Sequence, residues 1–389
     1  MENKCCPVCE GSSLTSVLKL ERLPVAINAQ TRPEDATRVA KGDINLVVCE
    51  SCGHLFNAVF DSSKFGYDES YENSLHYSAH FREFARGLAE RLVADHELAG
   101  AMVAEAGAGP GHFLAMLCDA GVGEAYGFDP SYDPGRLDAK KHKSVKLTQG
   151  LFPADGSLRA KLAFSQHVLE HLSSPVTLLR ELAASVAATD GGVVYSEVPN
   201  GKTMLNRCAL WDLIYEHFSY FTPTSLAYAA QRAGLSCIRI SEYYDGQFLA
   251  LDSSVCDPSD KLPASAEVDA VVSKASQFGV DAKRSIERAR QKLEQYRSVG
   301  PVALWGAGSK GMTYMNLVAQ DGLVDAVVDV NPRKDGYGIP GVDGVIRSPE
   351  SLKSIKPATV LIANPVYASE IGRSLSGLNV SADVQPLWH

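Results

Sequence analysis

Three groups of residues in this 389-residue chain have types and spacing suited to chemistry. The first is Glu105, Gly107, Gly109 and Gly111, an E-x-G-x-G-x-G run between an apolar stretch at 101–104 and a helical pattern through Phe113, Leu114 and Leu117. Glycines in a strand-to-helix turn let the backbone pass close to a ligand, and the helix start offers unpaired N–H groups and a positive dipole end. Asp129 ends the next candidate strand, 125–129, where its carboxylate is placed to accept hydrogen bonds from ribose hydroxyls. The second group is Tyr215-Glu216-His217, followed by Phe218-Ser219-Tyr220-Phe221. Histidine titrates near neutrality and is the usual general base, and an adjacent carboxylate can orient it. The third is a pair of C-x-x-C knuckles, Cys6/Cys9 and Cys49/Cys52, able to supply four thiolates to one tetrahedral zinc. Nothing there suggests an open fifth position, so such a zinc would be structural; a redox pair, buried thiols or Cys5 in place of Cys6 are the alternatives.

The spacing of the first group narrows its ligand. A dinucleotide fingerprint would require glycine where His112 stands. The pattern instead resembles motif I of the class I S-adenosylmethionine-dependent methyltransferases. That resemblance implies Glu105 facing the methionine part, the glycines beneath the cofactor, and Asp129 at the ribose. It also places Leu151 and Phe152 at the adenine, and Gln166 and His167 on the cofactor-facing loop after the fourth strand. Tyr77 belongs to a tyrosine-rich segment, 67–77, that either covers the cofactor or is solvated linker. The run 167–171 also reads H-x-x-E-H, a zinc-protease pattern. Its position directly after a strand, rather than on a helix face, argues against that reading. Glu170 and His171 there either line the substrate side or cap a helix.

Elements able to position these groups follow from periodicity. Residues 81–93 carry Phe81, Phe84, Leu88, Leu92 and Val93 at helical spacing. Short apolar strands are expected at 144–147, 163–165 and 192–198, with a helix over 175–186 and an antiparallel edge from 238–243 and 248–251. Thr222-Pro223 is a helix start. A long amphipathic helix fills most of 261–299 and leads to a strand at 302–305. The turn Gly306-Ala307-Gly308-Ser309-Lys310-Gly311 then satisfies G-x-G-x-x-G, with Asp329 closing the following strand and Asn364 another. The 39 residues between Cys9 and Cys49 exceed what a compact zinc ribbon needs and predict a hairpin or loop of their own.

Taken in order, these motifs resemble the three-domain C-methyltransferases that act on nucleotide-linked keto-deoxysugars, across nearly the whole chain. The resemblance implies an α/β architecture: a zinc module at 1–65, a class I methyltransferase at 66–255, and a linker helix with a second Rossmann-like domain at 256–389. It implies S-adenosylmethionine as cofactor with a structural zinc, His217 as base, and Tyr215, Glu216 and His171 as neighbours. Ser309, Lys310 and Asn364 would then face the substrate, or the C-terminal turn would bind nothing. One departure stands out: the sugar enzymes carry a residue between the tyrosine and the Glu-His pair and this chain has none, which leaves the direction of Tyr215 open.

Bulk properties bound the partners. A net charge of −9 argues against nucleic acid, which requires a basic footprint. No apolar run nears the roughly 20 residues that span a bilayer, and no signal-peptide pattern opens the chain. A cytoplasmic monomer or weak homo-oligomer acting on a small molecule, nucleotide-linked in the sugar case, is the expectation. O- or N-methylation, an NAD-dependent reaction at the C-terminal turn, and a non-catalytic binding role remain the competing readings.

Overall fold

The computed structural model describes residues 3–64, 66, 70–72, 74–133, 142–255, 262–320 and 322–388. Three sheets organise them. In the first, Leu14–Pro24 (β1), Lys41–Cys49 (β2) and Leu55–Asn57 (β3) form an antiparallel meander. The predicted segment between the cysteine knuckles is therefore a long hairpin. Leu18, Leu20, Ile44, Leu46 and Val48 are buried on it. The expected boundary at residue 65 does not confine this sheet: its fourth strand, Ser219–Tyr220 (β9), lies two residues after His217 and pairs with β3.

The second sheet holds Met102–Ala106 (β4), Glu124–Asp129 (β5), Val145–Gln149 (β6), Leu162–Gln166 (β7), Val193–Pro199 (β8), Leu235–Tyr243 (β10) and Phe248–Val255 (β11). Their order is β6-β5-β4-β7-β8-β11-β10. The first five are parallel and β11 reverses, pairing antiparallel with both β8 and β10. Strands such as β4 and β7 read as near-continuous apolar runs because helices cover both faces of a parallel sheet. The chain leaves β4 toward β5 on one side and β7 on the other. The carboxyl end of β4 is thus the switch point where an open α/β sheet holds its ligand.

The third sheet repeats that logic with Val302–Trp305 (β12), Ala326–Val328 (β13), Ile346–Arg347 (β14), Thr359–Ile362 (β15) and Asp383–Pro386 (β16), all parallel in the order β14-β13-β12-β15-β16. Its switch point lies at the end of β12.

The helix Ser265–Val299 ties the sheets together and, at 35 residues, is about 52 Å long. Phe278 and Ala282 pack with Leu18 and Leu46 of the first sheet and with Met204 of the helix Gly201–Arg207, while Ala289 and Leu293 pack with Leu304 and Met312 of the third. Gly279 permits the closest approach, since a Cβ there would run into the Val17 carbonyl. Residues 256–261, which include Lys261 at the start of the expected helix, lie outside the described residues. Among the described residues no helix is long and apolar enough to cross a membrane.

Candidate active site

The chain after β4 turns sharply at Gly107, whose φ of +75° belongs to glycine. A Cβ at Gly107 would collide with the Val168 side chain. Gly109 and Gly111 also hold positive φ, and Gly111 caps the helix His112–Asp119 from behind the turn without lining the cavity. The Gly109 N–H donates to Asp129 Oδ2 at 2.8 Å, and Ser131 donates to Oδ1 through its N–H and hydroxyl at 2.7 and 2.6 Å. Glu105 is buried, and one of its carboxylate oxygens has no hydrogen-bond partner. Burial, with the Asp129 charge adding to it, holds the Glu105 carboxyl well above the usual carboxylate range. A buried acid awaiting a polar partner, beside a turn that admits no side chain, suits the amino-acid end of S-adenosylmethionine.

These groups line a cavity of about 850 Å³ with Phe152, Gln166 and His167, while Leu151 and Tyr77 stand at its exposed rim. His167 adopts φ +54° between Glu170 Oε1 at 3.5 Å and Glu197 Oε1 at 3.3 Å. Burial opposes a charge on its ring, but the two carboxylates outweigh this and push it up to about 10. Of the tyrosine-rich segment, Tyr67 and its two successors lie outside the described residues; Tyr71 to Ser78, apart from residue 73, border the cavity.

Beyond the cofactor half, the same cavity reaches His171, His217 and Glu170. His217 Nδ1 donates to the Asp212 carbonyl at 2.9 Å and His171 Nδ1 to the Glu216 carbonyl at 2.8 Å. A carbonyl only accepts, so in each ring Nδ1 carries the proton and Nε2 the basic lone pair. One ring nitrogen from each histidine and a Glu170 oxygen lie within 4.8 Å of one another. Burial, followed by repulsion from His171, pushes His217 down to about 3 against the pull of Glu170, so the ring is neutral at physiological pH.

Two expected members of this cluster lie elsewhere. Tyr215 turns away from the cavity: its ring stacks on Phe60 at 5.3 Å against Gly42, and its hydroxyl bonds both Asp61 backbone groups, at 2.9 and 3.3 Å. An apolar slot with its one polar atom satisfied holds it there at little cost. Glu216 points into the N-terminal module, where its carboxylate accepts from Asn28 N–H at 3.1 Å and Asn28 Nδ2 at 3.4 Å. Glu216 reaches the cluster only through its carbonyl, on which His171 is oriented.

Residues 77–240 match the family described as a methyltransferase domain, and residues 264–381 match the C-methyltransferase C-terminal domain. The chain belongs to the S-adenosylmethionine-dependent C-methyltransferase family. The C-methyltransferase NovU of Streptomyces niveus is 23% identical over 401 residues, spanning 94% of this chain and 90% of that protein. Among solved structures, the 1,6-didemethyltoxoflavin-N1-methyltransferase of Burkholderia thailandensis covers 52% of this chain and 96% of its own at 16% identity and a TM-score of 0.38. The magnesium protoporphyrin IX methyltransferase of Synechocystis PCC 6803 covers 45% and 83% at 18% identity and a TM-score of 0.36.

In this C-methyltransferase the C-terminal sheet supplies the opposite wall of the cavity. Its glycine turn is built like the cofactor turn. Ala307 N–H donates to Asp329 Oδ2 at 2.6 Å and Asn331 N–H to Oδ1 at 2.8 Å, matching Gly109 and Ser131 on Asp129. Ser309, Lys310 and Asn364 all line the cavity. Lys310 Nζ lies 4.8 Å from the Trp211 ring centroid; burial lowers its pKa, and Asp212 opposes the shift. Asn364 exchanges two amide hydrogen bonds, 3.1 and 3.0 Å, with Gln247 in the β10–β11 turn. Lys334 Nζ donates to the Ala307 carbonyl.

The four knuckle sulfurs of the methyltransferase also converge within 4.8 Å of one another, Cys6 to Cys52 at 3.6 Å and Cys9 to Cys49 at 3.5 Å. Val8 N–H points at the Cys6 sulfur and Gly11 N–H at that of Cys9, both at 3.4 Å. Four thiols with backbone donors fit a tetrahedral zinc. Cys5 is exposed outside the cluster. Asp212, Gln247, Lys334 and Glu370 escaped the sequence reading: each serves the cavity through a backbone carbonyl or a loop contact that leaves no spacing signal.

Proposed function

We propose that the enzyme methylates a carbon α to a carbonyl of a small, nucleotide-linked keto-sugar-like acceptor. The observation that carries this is the single cavity joining the cofactor turn, a neutral histidine pair beside a carboxylate, and the Lys310 wall. His217 Nε2 removes the α-proton and the C–H electrons move into the enolate. S-adenosylmethionine, which Glu105, the turn at Gly107 and Gly109, and Asp129 would hold, would supply an electrophilic methyl for the enolate carbon, its sulfur keeping the electrons of the methyl bond. Glu170 faces the imidazolium that forms, and His171, whose free Nε2 only accepts, packs beside the base at 5.0 Å between ring centroids. Ser309 and Lys310 bind the anionic part of the acceptor, with Asn364 setting the wall's position. In this scheme residues 1–65 form a zinc-braced module, 66–255 the methyl-transfer unit and 256–389 the lobe that completes the acceptor site.

His217→Asn keeps S-adenosylhomocysteine binding by calorimetry and loses turnover by about two orders of magnitude or more. Screening keto-sugar nucleotides and other carbonyl acceptors with isotope-labelled methyl donor, followed by product NMR, puts the label on carbon. Label on oxygen or nitrogen, or near-normal turnover in the variant, excludes the enolate route through His217.

A further inference from the structure

The strap formed by residues 71, 72 and 74–78 borders the cavity beside the glycine turn; both its ends are contacted by the C-terminal lobe, and the first also pairs with residues 28–30, where Gln30 N–H donates to the Ser70 carbonyl and Glu72 N–H to the Asn28 carbonyl. At one end Glu72, buried, accepts from Asn331 Nδ2 at 3.0 Å and Arg333 Nε at 2.7 Å. At the other, Glu370 of the helix Ala368–Gly377 accepts from the Ser78 hydroxyl at 2.7 Å and from the amides of Ala79 and His80 at 3.4 and 3.5 Å. Those amides begin the 17-residue helix Ala79–Asp95, which has no acid in its own first turn. Glu370 therefore supplies, from nearly 300 positions away, the negative charge that a helix start favours. Ser78 is at the same time the N-cap, accepting from Phe81 N–H at 3.2 Å.

Between these pins sits His76. Its ring lies 4.8 Å from that of His112, the first residue of the helix that opens after the cofactor turn, and edge-on to Phe81 at 5.1 Å. His76 Nδ1 is buried at the cavity wall with no hydrogen-bond partner, an arrangement that native proteins rarely leave unless a ligand or water completes it. Burial, with His112 and Arg82 adding to it, pushes His76 down to about 4, so it meets a ligand as a neutral donor–acceptor ring. Lining the cavity, it is placed to meet a ligand held by the glycine turn.

We propose that His76 contacts the bound methyl donor and that Glu370 is its positioning residue, so that the lobe facing the acceptor also sets how firmly the cofactor is held. The inference rests on the cofactor site alone and stands whichever atom is methylated. Its test uses the full chain and S-adenosylhomocysteine as probe, with affinity from calorimetry and the dissociation rate from stopped-flow. Glu370→Ala and Ser78→Ala, which break the same contact from opposite sides, each weaken binding about tenfold through faster dissociation, and His76→Ala does so to a similar degree. The His76/Glu370 double variant is no weaker than either single variant, because the two act as one unit. Glu370→Gln, which keeps an acceptor but not the charge, falls between wild type and the alanine variant, while the thermal midpoint stays near that of wild type. Unchanged binding in Glu370→Ala and Ser78→Ala, or losses that simply add in the double variant, overturns the proposal. His217→Asn leaves the probe's binding intact, so failure of the base assignment is told apart from failure here.

Discussion

The Glu216 carboxylate is fully buried, and burial pushes it up to about 8 against the opposing hydrogen bonds from Asn28 and Ile27 and the Lys334 charge. A carboxyl raised from 4.5 to about 8 on folding holds a proton that the unfolded chain has already lost. Its stabilising contribution is therefore complete below the unfolded pKa and disappears as pH rises through the folded one. Urea unfolding at pH 5 and at pH 8 should show the wild-type chain losing stability relative to Glu216→Gln across that interval. Parallel pH dependence in the two proteins would show that Glu216 is charged throughout. The sequence pointed to Tyr215, Glu216 and His217 as one cluster because they are adjacent, and adjacency says nothing about direction. Only His217 enters the cavity; Tyr215 and Glu216 instead find partners in residues about 150 and 190 positions away, a pairing that no local spacing announces.

At the level of elements, β4, β7, β8, β12 and β15 were legible because buried parallel strands are continuous apolar runs bounded by turns. The helix Pro175–Val186 matches its expected bounds, and Thr222 starts the helix Pro223–Arg232 with a reciprocal Ser225 contact. The short strands β3, β9 and β14 were not legible: two or three residues carry no period, and long-range pairing alone defines them. The cofactor turn makes the sharpest prediction at this scale. Gly107→Ala imposes a strained φ and drives a methyl into Val168, so S-adenosylhomocysteine binding should fall about tenfold or more while the Glu370-held strap remains folded. Calorimetry on the purified variant checks this, and wild-type affinity would mean that the turn gives way more easily than its packing suggests.

Across the whole molecule the cysteine cluster and the proposed base, His217, are linked by β9. That strand, two residues beyond His217, completes the sheet headed by the knuckles, and its Ser219 hydroxyl lies 3.1 Å from buried His54 Nε2. Metal analysis should find about one zinc per chain in fresh protein. Its removal by a chelator should depress methyl transfer more than S-adenosylhomocysteine binding, because the disturbed sheet carries the segment of His217 and not the glycine turn. Zinc-free protein with full turnover would assign the cysteines another role.

The helix Ser265–Val299 has one further consequence. Its middle completes the core shared by β1, β2 and the helix Gly201–Arg207, and its last turns complete the core under β12. A cut placed before Ser265 would leave Leu46 and Met204 facing water, and a cut after it would do the same to Leu304. The three units are therefore not interchangeable cassettes. A chimera that borrows the acceptor lobe of a relative has to carry the helix and the hairpin beneath it as well, and heating should melt the chain in one transition rather than three.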